Sequence, residues 1–104
     1  MVKVIDSMDD YQKAIAVKGK LVVIDFTAVW CGPCKMIAPL FEKLSIEIVK
    51  ADFYKVDVDD VSDVAEFCKV RAMPTFIFYK DGKKIDEVCG ADIDELKKKI
   101  SAHV

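Results

Sequence analysis

The stretch Leu21-Val22-Val23-Ile24-Asp25-Phe26-Thr27-Ala28-Val29-Trp30-Cys31-Gly32-Pro33-Cys34-Lys35 reads as a strand that runs into a pair of cysteines at the start of a helix. Residues 21–27 predict a strand buried on both faces, because the apolar run barely alternates. A helix is expected from residue 35 to about 49, with Ile37, Leu40, Phe41, Leu44 and Ile48 at helical spacing. Pro39 interrupts it and should kink it, since it lacks a donor and clashes with the preceding turn. Two thiols one turn apart at a helix start are the layout for reversible thiol–disulfide chemistry. Residues three apart on a helix have β-carbons roughly 5–6 Å apart, and a disulfide needs roughly 3.5–4.5 Å, so a small adjustment opens or closes the bridge. Gly32 tolerates unusual dihedrals there, and Pro33 sets a helical φ where no N–H is needed.

Working outward, Ser7 is an N-cap for a helix to about residue 17, which Gly19 ends. Residues 53–58 read as a second strand and 61–69 as a short helix. Pro74 precedes a third strand at 75–79. Lys80-Asp81-Gly82-Lys83 predicts a tight hairpin turn with Gly82 at positive φ, and 84–89 the partner strand. A closing helix over 92–102 is capped by Asp92. Strands alternating with helices, then a hairpin, imply an α/β fold whose central mixed sheet carries helices on both faces. The local sequence at Met73-Pro74 reads as a turn with a trans bond, because few X–Pro bonds are cis.

The length of 104 residues predicts a single domain spanning 1–104, and no repeat or low-complexity tract is present. A net charge of −2 and the lack of a basic stripe with interleaved aromatics give no reason to expect nucleic acid. The run Lys97-Lys98-Lys99 reads as a solvated helix face balanced by Asp92, Asp94 and Glu95. The first residues lack the apolar region of a secretory signal, and no apolar stretch approaches the roughly 20 residues that span a bilayer. A cytoplasmic location is therefore expected. There, the four cysteines are better read as redox-active, metal-binding or incidental than as a disulfide scaffold.

The attacking species in disulfide exchange is a thiolate, which a helix N-terminus stabilises. Cys31, at the turn, is the candidate nucleophile. Cys34, in line with Ile37, Phe41 and Leu44, is the shielded resolving thiol, and its closeness shortens the life of a mixed disulfide. Half of a zinc site is the alternative, but Cys68 and Cys89 stand alone and His103 lies at the far end. Asp25 is a carboxylate within an apolar strand. Desolvation predicts a raised pKa, suited to taking the proton of Cys34, and the other reading is a satisfied structural Asp. Lys55 either modulates Asp25 or is a snorkelling surface lysine. Trp30 is a core residue or, beside the nucleophile, part of a surface on which a substrate chain lies. Gly90-Ala91 is either a plain connection or a loop suited to close approach by a partner backbone. Cys68 reads as core packing with Val61, Val64 and Ala65. Strand alternation leaves the exposure of Cys89 open, and His103 has no catalytic role.

Taken together, these residues resemble the thioredoxin family over nearly the whole chain. Trp30-Cys31-Gly32-Pro33-Cys34-Lys35 looks like its active site, and the order of elements looks like the thioredoxin fold. Asp25 matches its buried aspartate, Pro39 its kinking proline, Pro74 its cis-proline opposite the disulfide, Gly82 its hairpin glycine and Gly90 its substrate-loop glycine. Lys55-Val56-Asp57-Val58-Asp59-Asp60 is similar to animal, cytosolic members in particular. The resemblance implies a protein-disulfide reductase and electron carrier that binds no cofactor beyond its own Cys31–Cys34 disulfide. It further implies recharging by an NADPH-dependent thioredoxin reductase and substrates such as peroxiredoxins and ribonucleotide reductase. Substrate chains would lie against Trp30, Gly32, Pro33, Met73, Pro74, Gly90 and Ala91. A monomer is expected, with Cys68 and Cys89 as extra thiols able to regulate it or to join two copies on oxidation. Two other readings are a secretory-pathway oxidase or isomerase, against which the Gly-Pro dipeptide argues, and a docking module, against which both thiols argue.

Overall fold

A computed structural model describes residues 1–104. The elements run β1 (Lys3–Val4), α1 (Met8–Ile15), β2 (Leu21–Thr27), α2 (Gly32–Glu47), β3 (Ala51–Asp57), α3 (Ser62–Phe67), β4 (Thr75–Lys80), β5 (Lys83–Cys89) and α4 (Ile93–His103). They form one five-stranded sheet in the order β1-β3-β2-β4-β5. β1, β3 and β2 are mutually parallel, whereas β4 runs antiparallel to both β2 and β5. The sequence reading overlooked β1. Two residues are too few for any periodicity to register, and the strand exists only because Lys3 and Val4 pair with Tyr54 and Lys55.

Central strand β2 is buried on both faces, and its alternation divides the core in two. Leu21 and Val23 pack with Ile37, Phe41 and Leu44 of α2 and Leu96 and Ile100 of α4. Val22, Ile24 and Phe26 pack with Tyr11 and Ala14 of α1 and Val64 of α3. Asp25 continues the first row, which places a carboxyl on the side of the sheet that α2 covers. Leu40, read as a core position, is instead exposed. It lies at the edge of the stripe formed by Ile37, Phe41, Leu44 and Ile48, on the side turned away from the sheet. Phe41 anchors α2 at ring-centroid distances of 5.4 Å from Phe53 and 5.3 Å from Phe76. Phe41→Ala is expected to cost roughly 3–5 kcal/mol in urea unfolding, because the rigid sheet beneath cannot collapse into the void.

Helix starts follow their caps. Ser7 Oγ accepts from the Asp10 N–H at 3.0 Å, and Asp92 Oδ1 accepts from the Glu95 N–H at 3.0 Å. The hairpin turn has Asp81 at φ 54° and Gly82 at φ 81°. Two successive left-handed residues match the twist of the flanking strands. Farther along, Phe78 faces Asp86 and Tyr79 faces Lys84, so Ile85 is left as a bulge in β5.

Lys99 departs from the solvated-face reading. Its Nζ donates to Asp86 Oδ1 at 2.7 Å and to the Glu87 carbonyl at 2.9 Å, tying α4 to β5, while His103 Nε2 lies 2.9 Å from Asp86 Oδ2. Spacing along one helix cannot reveal a partner on a strand. Lys99, His103 and the Glu87 N–H together hold the Asp86 carboxyl well below the usual carboxylate range. A carboxylate depressed in the folded state contributes stability above its unfolded pKa, about 3.9, and loses it as pH falls below that value. Asp86→Asn is therefore expected to cost roughly 1–2 kcal/mol at pH 7 and somewhat less at pH 3, read by urea unfolding at both. At pH 3 the loss has begun, but it is complete only once pH falls through the depressed folded value.

Candidate active site

α2 begins at the cysteine pair itself, three residues earlier than the sequence reading placed it. Cys31 is the N-cap, with extended backbone at φ −90° and ψ 111°, and its Sγ accepts from the Cys34 N–H at 3.2 Å. A sulfur thus occupies the place usually taken by a Ser or Asp oxygen. Pro33 follows in the first turn, where its missing N–H costs nothing. Cys31 and Cys34 are joined in a disulfide, with Cα atoms 5.2 Å apart. Cys31 is 6% exposed and Cys34 1%. Outer access is therefore to Cys31, while Cys34 lies over the core. After reduction, a Cys31 thiolate keeps the Cys34 N–H and the positive end of the α2 macrodipole as partners.

Three segments distant in sequence meet beside Cys31. Its Sγ lies 3.6 Å from the Met73 carbonyl oxygen, within reach of a proton when the sulfur is a thiol. Met73–Pro74 is cis, as the family resemblance implies and against the trans reading of the local sequence. Local preference carries no information about the surrounding fold that selects the isomer. The Gly90 N–H donates to the Pro74 carbonyl at 2.8 Å, which brings the β5–α4 loop alongside Pro74. Gly90 has φ 92°, a left-handed conformation that favours glycine. Ala91 is half-buried against the α2–α4 core. Gly32 and Pro33 are exposed, and Trp30, at 64% exposure, is a surface residue and not a core one. Its Nε1–H donates to Asp59 Oδ2 at 2.8 Å, fixing the indole beside the disulfide. Sequence reasoning missed Asp59 as a partner of Trp30. An acidic run 29 residues away offers no local cue.

Asp25 is 3% exposed, and its Oδ1 has no hydrogen-bond partner. Burial pushes the carboxyl up to about 7, with the Lys55 ammonium acting in the opposite direction. A satisfied structural aspartate would have its oxygens paired, and this one does not. Lys55 is the register neighbour of Asp25 on β3. Asp25, Cys34, Ala38 and Lys55 line a common cleft of about 410 Å³. A buried carboxyl that changes charge near neutrality, in one cleft with the inner cysteine, can exchange a proton with it.

The two remaining thiols lie apart from this centre. Cys68, the C-cap of α3, is half-buried against the opposite core, with Sγ 3.5 Å from the Tyr79 hydroxyl. That hydroxyl in turn bonds Tyr11 at 2.8 Å. Cys89 is exposed at the end of β5, and its Sγ–H donates to Glu87 Oε2 at 3.1 Å. The Glu87 carboxylate raises the pKa of this thiol and so lowers its thiolate fraction. His103 belongs to the Asp86 cluster. No group of three or more His, Cys, Asp or Glu residues is placed to hold a metal, and no helix is long and apolar enough to cross a membrane.

The sequence matches the family model described as Thioredoxin over residues 2–102. It is 51% identical over 104 residues to thioredoxin-2 of Saccharomyces cerevisiae, covering 100% of both chains. It is also 51% identical over 105 residues to thioredoxin of Callithrix jacchus, again covering 100% of both. Among solved structures, the thioredoxin of Fasciola hepatica superposes with a TM-score of 0.97 at 45% identity, covering 99% of this chain and 100% of that one.

Proposed function

This chain belongs to the thioredoxin family of thiol–disulfide oxidoreductases, and from that premise we propose that it reduces disulfides in other proteins and is recharged by an NADPH-dependent thioredoxin reductase. The observation that carries this reading is the Cys31–Cys34 disulfide at the start of α2, with the outer sulfur beside Met73-Pro74 and the inner one in the Asp25 cleft. Substrate chains lie across Trp30, Gly32, Pro33, Met73, Pro74, Gly90 and Ala91. Peroxiredoxins and ribonucleotide reductase are the substrate classes that the family implies. The protein acts as a single-domain monomer in the cytoplasm.

In the forward reaction the Cys31 thiolate attacks one sulfur of the substrate disulfide. A Cys31–substrate bond forms, the substrate S–S bond breaks, and the released thiolate takes a proton from water. Cys34 then gives its proton to the Asp25 carboxylate and attacks the Cys31 sulfur. The Cys31–Cys34 bond forms, and the second substrate sulfur departs as a thiolate and is protonated. Two electrons have passed from the dithiol to the substrate, and the reductase returns two from NADPH. Lys55 tunes this step by favouring ionised Asp25. Cys68 and Cys89 take no part in the cycle and stand as candidate regulatory thiols. A coupled assay tests the proposal: NADPH and a thioredoxin reductase should drive reduction of a model protein disulfide only when this chain is added. NADPH oxidation that stays at background, with the protein folded, would reject it.

A further inference from the structure

One side of Asp25 is walled in part by a segment that the reaction does not use. The register across the sheet puts Val4, Lys55, Asp25 and Phe76 in one row on the face that α2 covers. That row passes from an exposed valine, through an exposed lysine, to the buried carboxyl. Two clefts reach Asp25 between α2 and β3, one walled by Val4 and the other by Val2 and Glu42. Residues 2–5 form a strap along one wall of these clefts, to which Val2 and Val4 contribute. The Val2 N–H donates to Glu42 Oε2 at 2.8 Å, and the Ile5 N–H donates to the Lys55 carbonyl at 3.0 Å. Val2 packs against the α2–α4 core, and Ser45 Oγ lies 3.5 Å from the same Glu42 oxygen.

Resting on the reading of Asp25 as the proton acceptor for Cys34, we propose that the strap tied down by Glu42 limits water at Asp25, which makes Glu42 a positioning residue for the resolving step. Ionised groups around the clefts are Lys35 and Glu42 from α2, Lys55 and Asp57 from β3, and Asp60 from the following turn. The strap itself contributes only Val2 and Val4. Since burial is the chief cause of the raised carboxyl, loosening the strap hydrates Asp25 and favours its ionised form. Loss of the Glu42 charge would act in the same direction, so the two causes need separate variants.

The test is a ¹³C NMR titration of the Asp25 carboxyl in the oxidised protein, alongside the pH dependence of mixed-disulfide resolution. Glu42→Ala removes both acceptor and charge, Glu42→Gln keeps an acceptor without the charge, and Val2→Ala thins the wall while leaving the N–H and Glu42 in place. We expect the midpoint to fall by on the order of one pH unit in Glu42→Ala and Val2→Ala, and by much less in Glu42→Gln, where only the charge is lost. A Glu42→Gln midpoint as low as that of Glu42→Ala assigns the effect to charge and overturns the proposal. So does an unmoved midpoint in Glu42→Ala when fast exchange of the Val2 amide proves the strap free. The carboxyl is read directly, so the strap and the function of Asp25 fail separately. A shifted midpoint with an unshifted resolution rate would uphold the first and remove the second.

Discussion

Replacing Cys31 by serine is expected to lower disulfide reduction by roughly a thousandfold or more, to the level of the uncatalysed reaction. A serine hydroxyl at the α2 N-cap still accepts the Cys34 N–H, so the fold stands and only the nucleophile is lost. Cys34→Ser should fail differently. Cys31 still attacks, but the sulfur that lies a turn away is missing, and the chain accumulates bound to its substrate. Non-reducing electrophoresis separates the two: no adduct with Cys31→Ser, a stable covalent complex with Cys34→Ser. Normal turnover of Cys34→Ser would show that the buried sulfur does not resolve the intermediate.

Asp25→Asn is expected to have two effects of opposite value. Near neutral pH, loss of the proton acceptor should slow resolution of the mixed disulfide by roughly a hundredfold or more. Stability should rise. The folded carboxyl titrates at about 7 against 3.8 for a free aspartate, so between those values the native state binds the extra proton. Stability therefore falls as pH rises through that window, by on the order of 4 kcal/mol, and levels off above it. The asparagine chain has no such slope. Urea unfolding of the oxidised protein between pH 4 and pH 8 reads the difference. A slope that persists in Asp25→Asn would trace it to other groups.

The parts of this fold that were legible are those whose cause lies within a few residues. Ser7 and Asp92 cap the helices that follow them, Gly82 turns the hairpin, and the unbroken apolar run at 21–27 is the strand buried on both faces. Cys31-Gly32-Pro33-Cys34 announced its own chemistry, and the oddity of Asp25 was visible because an ionisable group is costly in such a strand. What stayed hidden arises between distant segments. The hold of Asp59 on Trp30, the bond from Lys99 to Asp86 and the pairing of β1 each depend on a partner that sequence spacing does not name, and the cis bond at Pro74 was legible only through the family resemblance. Lys55 stands between these cases. Its strand was legible, but its place directly across from Asp25 is a matter of register.

The bulge at Ile85 bears on how this molecule keeps company with copies of itself. A sheet ends in two margins, and an open margin invites any extended chain to add on by backbone hydrogen bonds. Here one margin is β1, too short to template a neighbour, and the other is β5, kinked at Ile85 and studded with Lys83, Lys84, Asp86 and Glu87. Neither gives a flat ladder for stacking. Copies of this chain therefore find no edge along which their sheets could add end to end into a fibre.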